Sequence, residues 1–432
     1  MSQIINQKSQ RGDLANVKDP LNGSKAWMVC LSSALFFFYI FVQMMCLNVL
    51  KQHYIDLHID VSTLDTMYFY GNVLCLFPAG MLLDRISTRV VILLAMFVVI
   101  VASAVFAFST VAWQIYVSRA VIGCGGAFCL LAPVRLVSRW FTPNKIALLV
   151  GLVVTIGMLG GMAAQYPMQW LFSHHGYTVA SYVSVGFGLF CWLIILITVR
   201  DAPRGQNVDQ HGHAELSSMG FFCSVSKVLR NKQNWLAGIY ASLINLPVFW
   251  LGSLYGSSFL QQVDGLSEAD AAIVNGFLFI GLIVGSPLFG WFSDKVRGRK
   301  LPMAVGAITS TIVMSMILWG GFHEEWLLSI LLFLLGLFTS SQVIAYPLVV
   351  ESNSLSLTGT AEGVASVLIM SGGFTVSFAA FLLRYFDKNI THAGVFSITD
   401  WHYSFGTLVI GFGVALLLSL LITETGCKHI EN

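Results

Sequence analysis

Charge is what this chain has least of. Asp, Glu, Lys and Arg supply only 10% of its 432 residues, against about a quarter in soluble domains, which excludes an ordinary water-soluble globule. Alternating ten-residue strand patterns are absent, which argues against an outer-membrane barrel. Cysteine occurs eight times, never at metal-ligand or disulfide-framework spacing. Six of the eight (Cys30, Cys46, Cys75, Cys124, Cys129, Cys191) lie inside apolar runs and read as packing thiols, while Cys223 and Cys427 sit in polar segments. No metal, cofactor or nucleic acid is therefore expected as a partner. The first 25 residues are polar, and no small-residue cleavage site accompanies the first apolar run, so a cleaved signal peptide is not expected. Catalytic acids, histidines or serines do not cluster at membrane depth, which excludes a membrane-embedded enzyme.

What is present is hydrophobic: 56% of residues are apolar and the mean hydropathy is +0.77. The apolar residues arrive in blocks of roughly 20, the length that crosses ~30 Å of hydrocarbon as a helix. Backbone groups in lipid must be satisfied within the segment, so the blocks read as helices. Twelve are expected, near 26–50, 63–83, 88–110, 112–136, 145–170 and 177–199, then 233–260, 269–292, 300–320, 326–350, 360–386 and 402–424. This predicts a polar tail at 1–25, a six-helix bundle at 26–199, a linker at 200–232, a second bundle at 233–424 and a tail at 425–432. The fold class is an all-α polytopic membrane protein. The linker's His211 and His213 read as incidental, because two ligands on a flexible segment make a poor metal site.

Charge also orients the chain. The face that receives both tails, the linker and the 135–145 turn holds 19 of the 23 Lys and Arg; the other face holds Lys51, Arg384 and Lys388 with ten acids. The basic face is then cytoplasmic by the positive-inside rule. A bacterial inner membrane is the expected location, with the lipid bilayer as surroundings and a monomer as the working unit.

The turn between spans 2 and 3, Gly80-Met-Leu-Leu-Asp84-Arg85-Ile-Ser-Thr-Arg89, returns 210 residues later as Gly290-Trp-Phe-Ser-Asp294-Lys295-Val-Arg-Gly-Arg299. Glycine, acid, base and arginine recur at the same spacing, so two related halves are joined in one chain. The glycines read as points of close approach. Asp84, Arg85, Arg89, Asp294, Lys295 and Arg299 read as an electrostatic gate on the basic face.

This turn resembles the signature G-x-L-x-D-R-x-x-x-R of the major facilitator superfamily, and its degenerate copy lies where that family puts it. The resemblance implies two six-helix bundles around a central cavity, alternating between states open to opposite sides. Arg119, Gly123 and Gly125 match a second family element, an arginine in span 4 followed by glycines. Arg119 is the one ionisable residue well inside a span, where a lone charge costs several kcal/mol, so it should face the cavity with a partner. Span 5 keeps Gly157, Gly160 and Gly161 but lacks the proline of the family's drug–proton antiporters, which favours import over export. Phe37-Phe38-Tyr39, Met67–Tyr70 and Trp140–Lys145 resemble a bacterial subgroup that includes phagosomal nutrient transporters, with related sequences among lysosomal peptide transporters. Where that subgroup commonly places an acid and an arginine in span 1, this chain has Ile40 and Met44.

A small polar organic solute, such as an amino acid, peptide, nucleoside or organic acid, is the expected substrate. Polar and aromatic residues near mid-membrane are its candidate contacts: Tyr39, Gln43, Asn72, Arg119, Thr155, Asn245, Trp250, Gln342 and Tyr346. Proton coupling would need an acid in the pathway. Asp65, at the acidic-face end of span 2, is the candidate, with Arg119; Glu351 and Glu362 read instead as partners for bases on the basic face. The alternatives are an exporter of drug-like or siderophore-like compounds and a membrane sensor that no longer transports.

Overall fold

The computed structural model describes residues 23–141, 143–201, 221–353, 358–386 and 396–426. His211 and His213 lie outside them, as does Cys427. Among the described residues all regular structure is helical. Ten stretches are long and apolar enough to cross a membrane. One of them, Leu149–Thr198, has 50 residues and would measure about 75 Å as a single helix. It turns back at Gly176, whose φ of 77° suits a residue without Cβ. The segments before and after Gly176 both flank span 1: Gly157 and Gly160 abut Phe37 and Phe38, and Gly188 abuts Tyr39. Val61–Arg85, more polar than the rest, is also a long helix. Together these make the twelve expected spans. Phe221–Arg230, within the expected linker, is also helical.

Half of the spans are broken near their middles, and the breaks obey the repeat. Span 1 divides at Cys46 (Ser24–Met45, then Leu47–Asp56). Span 7 divides at Asn245 and Leu246, then continues through the π-helical Val248–Tyr255 into Gly256–Asp264. Span 4 divides at Ala127, and span 10 passes through the 3₁₀ turn Ser340–Ile344. Span 5 breaks after Ala163 and span 11 at Gly372–Phe374. The causes are local: glycines precede the breaks in spans 4 and 5, Pro247 removes a backbone donor in span 7, and a glycine pair sits in span 11. A break leaves backbone carbonyls without their helical partners, tolerable at membrane depth only where other groups reach them.

Spans 2 and 4 pack backbone to backbone, as do spans 8 and 10. A Cβ on Gly71 would lie 1.9 Å from the Ala120 carbonyl, and one on Gly123 2.0 Å from that of Tyr68. In the second half, Gly281 meets Phe333 and Gly336 meets Leu278 in the same way. Gly71 and Gly281 are 210 residues apart. Gly80 and Gly290 correct the sequence expectation: an added Cβ at either finds nothing within 4 Å. They lie at span ends beyond the crossing points, so no close approach in this state accounts for their recurrence. Span 5 keeps the tight packing read from its glycines, with Gly160 against the Phe38 backbone and Gly161 against Phe279 of the other bundle.

Candidate substrate pathway and gate

The charged centre of the molecule is a pair with no solvent exposure. Arg119 of span 4 approaches Asp65 of span 2 at 3.4 Å, both side chains wholly buried. The guanidinium also donates to the carbonyls of Gln43 and, at 2.9 Å, Met44, just before the break in span 1. The rings of Tyr68 and Phe106 flank it at 5.4 and 5.5 Å. Burying two ions is penalised by several kcal/mol each, and only further hydrogen bonds make such a pair tolerable. The break in span 1 supplies them on the arginine side. On the other side Ser253, in the π-helical part of span 7, donates to Asp65 Oδ2 at 2.7 Å.

That last bond crosses from one bundle to the other, and it has company. Asn48 of span 1 donates to Gln165 at the break of span 5 at 2.8 Å and to Ser257 of span 7 at 3.1 Å. Asn275 of span 8 donates to the same Gln165 oxygen at 2.9 Å and to the Leu251 carbonyl at 3.0 Å. Gln165 Nε2 in turn donates to the Gly252 carbonyl at 3.0 Å. Thr66 meets Ser377 across the span 2–span 11 contact, and Arg384 reaches Asp60 at 3.1 Å. These cross-bundle bonds gather in the half nearer the acidic face, where they close the space between the bundles. The carbonyls of Phe249, Leu251 and Gly252, in the π-helical stretch of span 7, accept side-chain hydrogen bonds in this half.

On the basic face the repeated turns form clusters inside their own bundles. Arg299 binds Glu351 at 2.7 Å and Asp294 at 2.8 Å, and Ser293 accepts a further bond at 2.8 Å. Glu351 thus pairs with a base of the repeat, as expected. Arg89 donates to the Leu196 carbonyl at 2.8 Å. Lys295 sits 4.5 Å over the Trp291 ring. The side chains of Asp84 and Arg85 lie outside what the structure describes.

The candidate pathway residues separate into groups. Tyr39 and Gln43 turn into the first bundle: Tyr39 lies on Gly188, and Gln43 donates to Ser184 of span 6 at 2.8 Å. Asn72 is tied to the Gly123 carbonyl at the span 2–span 4 crossing, 3.2 Å away. Trp250 donates to Thr375 at 2.8 Å and packs on Phe405. Asn245 and Gln342 are buried at the breaks of spans 7 and 10. Thr155 is half-buried in span 5. Tyr346 is half-buried next to Ser366 and Glu362 of span 11, with Cys129 of the opposite bundle close by. Among these candidates only Arg119 brings its side chain to the charged centre. Asn48, Asn275, Ser253 and Ser257 were not singled out from the sequence. For Asn275 a signal existed: it stands 210 residues after Asp65, at the equivalent place in the repeat.

Residues 29–377 match the Major Facilitator Superfamily. The chain belongs to that superfamily. It is 26% identical over 331 residues to the lysosomal dipeptide transporter MFSD1 of Danio rerio, covering 72% of this chain and 70% of that one. It is 25% identical over 329 residues to the D-galactonate transporter of Escherichia coli O6:H1, covering 70% and 75%. The crystal structure of a bacterial homologue of the human lysosomal transporter Spinster, inward-facing and unoccupied, superposes with a TM-score of 0.72 over 93% of this chain and 97% of that one, at 17% identity. The likeness to that structure concerns the fold. Membership and these relatives make the protein an integral multi-pass membrane protein and a secondary transporter of small organic solutes.

Proposed function

We propose that the protein imports a small polar solute bearing a carboxylate, such as a peptide, an amino acid or a sugar acid, together with protons. The buried Asp65–Arg119 pair carries this reading. A guanidinium held by two backbone carbonyls is a ready anion site, and the Asp65 carboxylate occupies it while no substrate does. A substrate carboxylate can take the place of Asp65, and Asp65 can then accept a proton rather than remain an unpaired buried anion. The two relatives bear on the substrate class, because a dipeptide and galactonate have a carboxylate in common.

With the basic face cytoplasmic, the cross-bundle bonds around Asp65, Gln165 and Asn275 close the outer side. The inward-facing state named for the Spinster homologue supports that orientation of the gate. Reopening to the outside needs these bonds broken, and the charged one among them is the one that protons and anions can address.

The test is uptake into proteoliposomes with an acidic exterior. Dipeptides and sugar acids should accumulate, whereas their amides or methyl esters should not, and collapsing the proton gradient should abolish accumulation while leaving exchange. Accumulation that persists after the gradient is collapsed would remove the proton, and equal transport of the amides would remove Arg119 as a carboxylate anchor.

A further inference from the structure

The outer gate is built twice, once in each half of the repeat, with different chemistry. Asp65 and Asn275 stand at equivalent positions of spans 2 and 8, each the same fifteen residues before the glycine of its repeated turn. Each also joins the bundles. Asp65 takes a hydrogen bond from Ser253, and Asn275 gives one to Gln165. The next residues match as well: Thr66 meets Ser377, and Gly276 faces Gln165. Only one side carries charge. In span 10, where Gly336 takes the place of Gly123, the position equivalent to Arg119 is the buried, apolar Leu332.

We infer that Ser253 is the positioning residue through which the state of Asp65 reaches the second bundle, and that the Asn275 clasp is a constant counterweight. The inference rests on the reading of Asp65 as the coupling carboxylate. Ser253 has one proton and two acceptors in range, Asp65 Oδ2 and the Phe249 carbonyl one turn back, both at 2.7 Å. Against an ionised carboxylate the charge-assisted bond prevails. When Asp65 takes a proton on Oδ2, that oxygen becomes a donor to Ser253 Oγ, and the serine hydroxyl turns its own proton to the Phe249 carbonyl of its helix. The charge-assisted cross-bundle bond is replaced by a neutral one of about half its strength while every polar group keeps a partner, so the gate loosens at little penalty. The amide clasp of Asn48, Gln165 and Asn275 has no proton to gain or lose in this range and holds equally at every pH.

The other groups that face Asp65 do not compete for this role. They are Arg119 of span 4, Cys46 at the break of span 1, Tyr68 one turn along span 2 and Tyr255 of span 7. An arginine remains charged, and a buried thiol or phenol remains neutral, across the pH range in which a carboxylate of this kind exchanges its proton.

The experiment uses the full chain without its native cysteines, spin-labelled at Gln52→Cys and Glu268→Cys on the exposed outer rim. Distance distributions in nanodiscs are read between pH 8 and pH 5. The parent should gain an outer-open population as pH falls, changing the open-to-closed ratio by about five- to tenfold, the scale by which a charge-assisted hydrogen bond exceeds a neutral one. Ser253→Ala should show one distribution at both pH values. Asn275→Ala should shift towards open by the same factor at both, keeping the parent's response. A Ser253→Ala protein with the parent's pH response overturns the proposal, as does a parent without one or an Asn275→Ala protein that loses it. Substrate takes no part in the readout, so a wrong substrate class leaves the result intact. Ser253→Thr, which restores a hydroxyl, should recover the pH response and separates the switch from simple packing damage.

Discussion

Asp201 and Glu424 cap equivalent helices in the two halves of the chain. Asp201, just beyond span 6, accepts from the Arg89 backbone at 2.9 Å and from the Ser87 hydroxyl at the start of span 3. Glu424, just beyond span 12, accepts from the backbones of Arg299 and Lys300 at 2.8 and 2.9 Å at the start of span 9. Each bundle is thus fastened on its basic face by an acid at the end of its last span. Partial burial pushes the Glu424 carboxyl up, but the backbone donors of Arg299, Lys300, Gly426 and Thr425 outweigh it and leave it below the ordinary range. A lowered folded value means stabilisation present above the unfolded value near 4.5 and lost as pH falls through the folded one. Glu424→Gln should therefore flatten the loss of thermal stability below pH 4.5. Because the site is exposed, its effect at neutral pH should stay at or below about 1 kcal/mol. An unchanged acid limb in thermal unfolding would remove Glu424 as a cap.

For Arg119 the two kinds of substitution should differ in a diagnostic way. Arg119→Ala leaves Asp65 without its ion partner at 0% exposure, a loss of about 3–5 kcal/mol when a buried pair is broken from one side. Arg119→Ala combined with Asp65→Asn removes both charges and should recover most of that stability. Neither protein should accumulate substrate. Thermal unfolding in detergent together with uptake decides the matter: a single variant as stable as the double would show that the pair is not ionic.

The spans and the repeat were legible because lipid imposes one length, one backbone solution and a charge asymmetry on every crossing. The pairing of Asp65 with Arg119 was half legible. Both residues stood out as ionisable groups in spans 2 and 4, while their contact across 54 positions of sequence depends on helix rotation, which hydropathy does not report. Rotation also explains Tyr39 and Gln43. Span 1 is apolar on nearly every side, so no polar stripe indicated that these two turn towards span 6. The amide clasp was hidden for another reason. Asn48, Gln165 and Asn275 acquire their partners at breaks in spans 1, 5 and 7, and hydropathy reads straight through a break.

Asp294→Asn should affect turnover more than stability. The carboxylate is largely exposed, at 68%, while its partner Arg299 is 7% exposed and keeps Glu351. An exposed ion pair contributes on the order of 0–1 kcal/mol, so the folded state should hardly change. Asp84 stands at the equivalent position of the sequence repeat, and Asp84→Asn is expected likewise to slow the cycle more than it weakens binding. Substrate affinity by thermal shift, set beside exchange rates in proteoliposomes, checks both; equal turnover in the variants and the parent would show that the repeated acids are topological markers alone.

The glycines give the sharpest structural contrast. A methyl group on Gly71 would stand 1.9 Å from the Ala120 carbonyl oxygen, and one on Gly281 2.1 Å from that of Phe333. Backbone cannot yield to this as a flexible side chain can, so spans 2 and 4, or 8 and 10, must separate. Helix association in lipid depends on such close packing, and overpacking a tight contact costs about 1–3 kcal/mol or more. Gly71→Ala and Gly281→Ala should each lower the unfolding temperature and the yield of monodisperse protein. Gly80→Ala and Gly290→Ala meet open space and should leave both unchanged or slightly raised, since alanine favours the helix by about 1 kcal/mol. If transport nevertheless falls in the Gly80 variant while the fold is intact, the recurrence of this glycine reports a contact made in another state of the cycle, when the basic face closes.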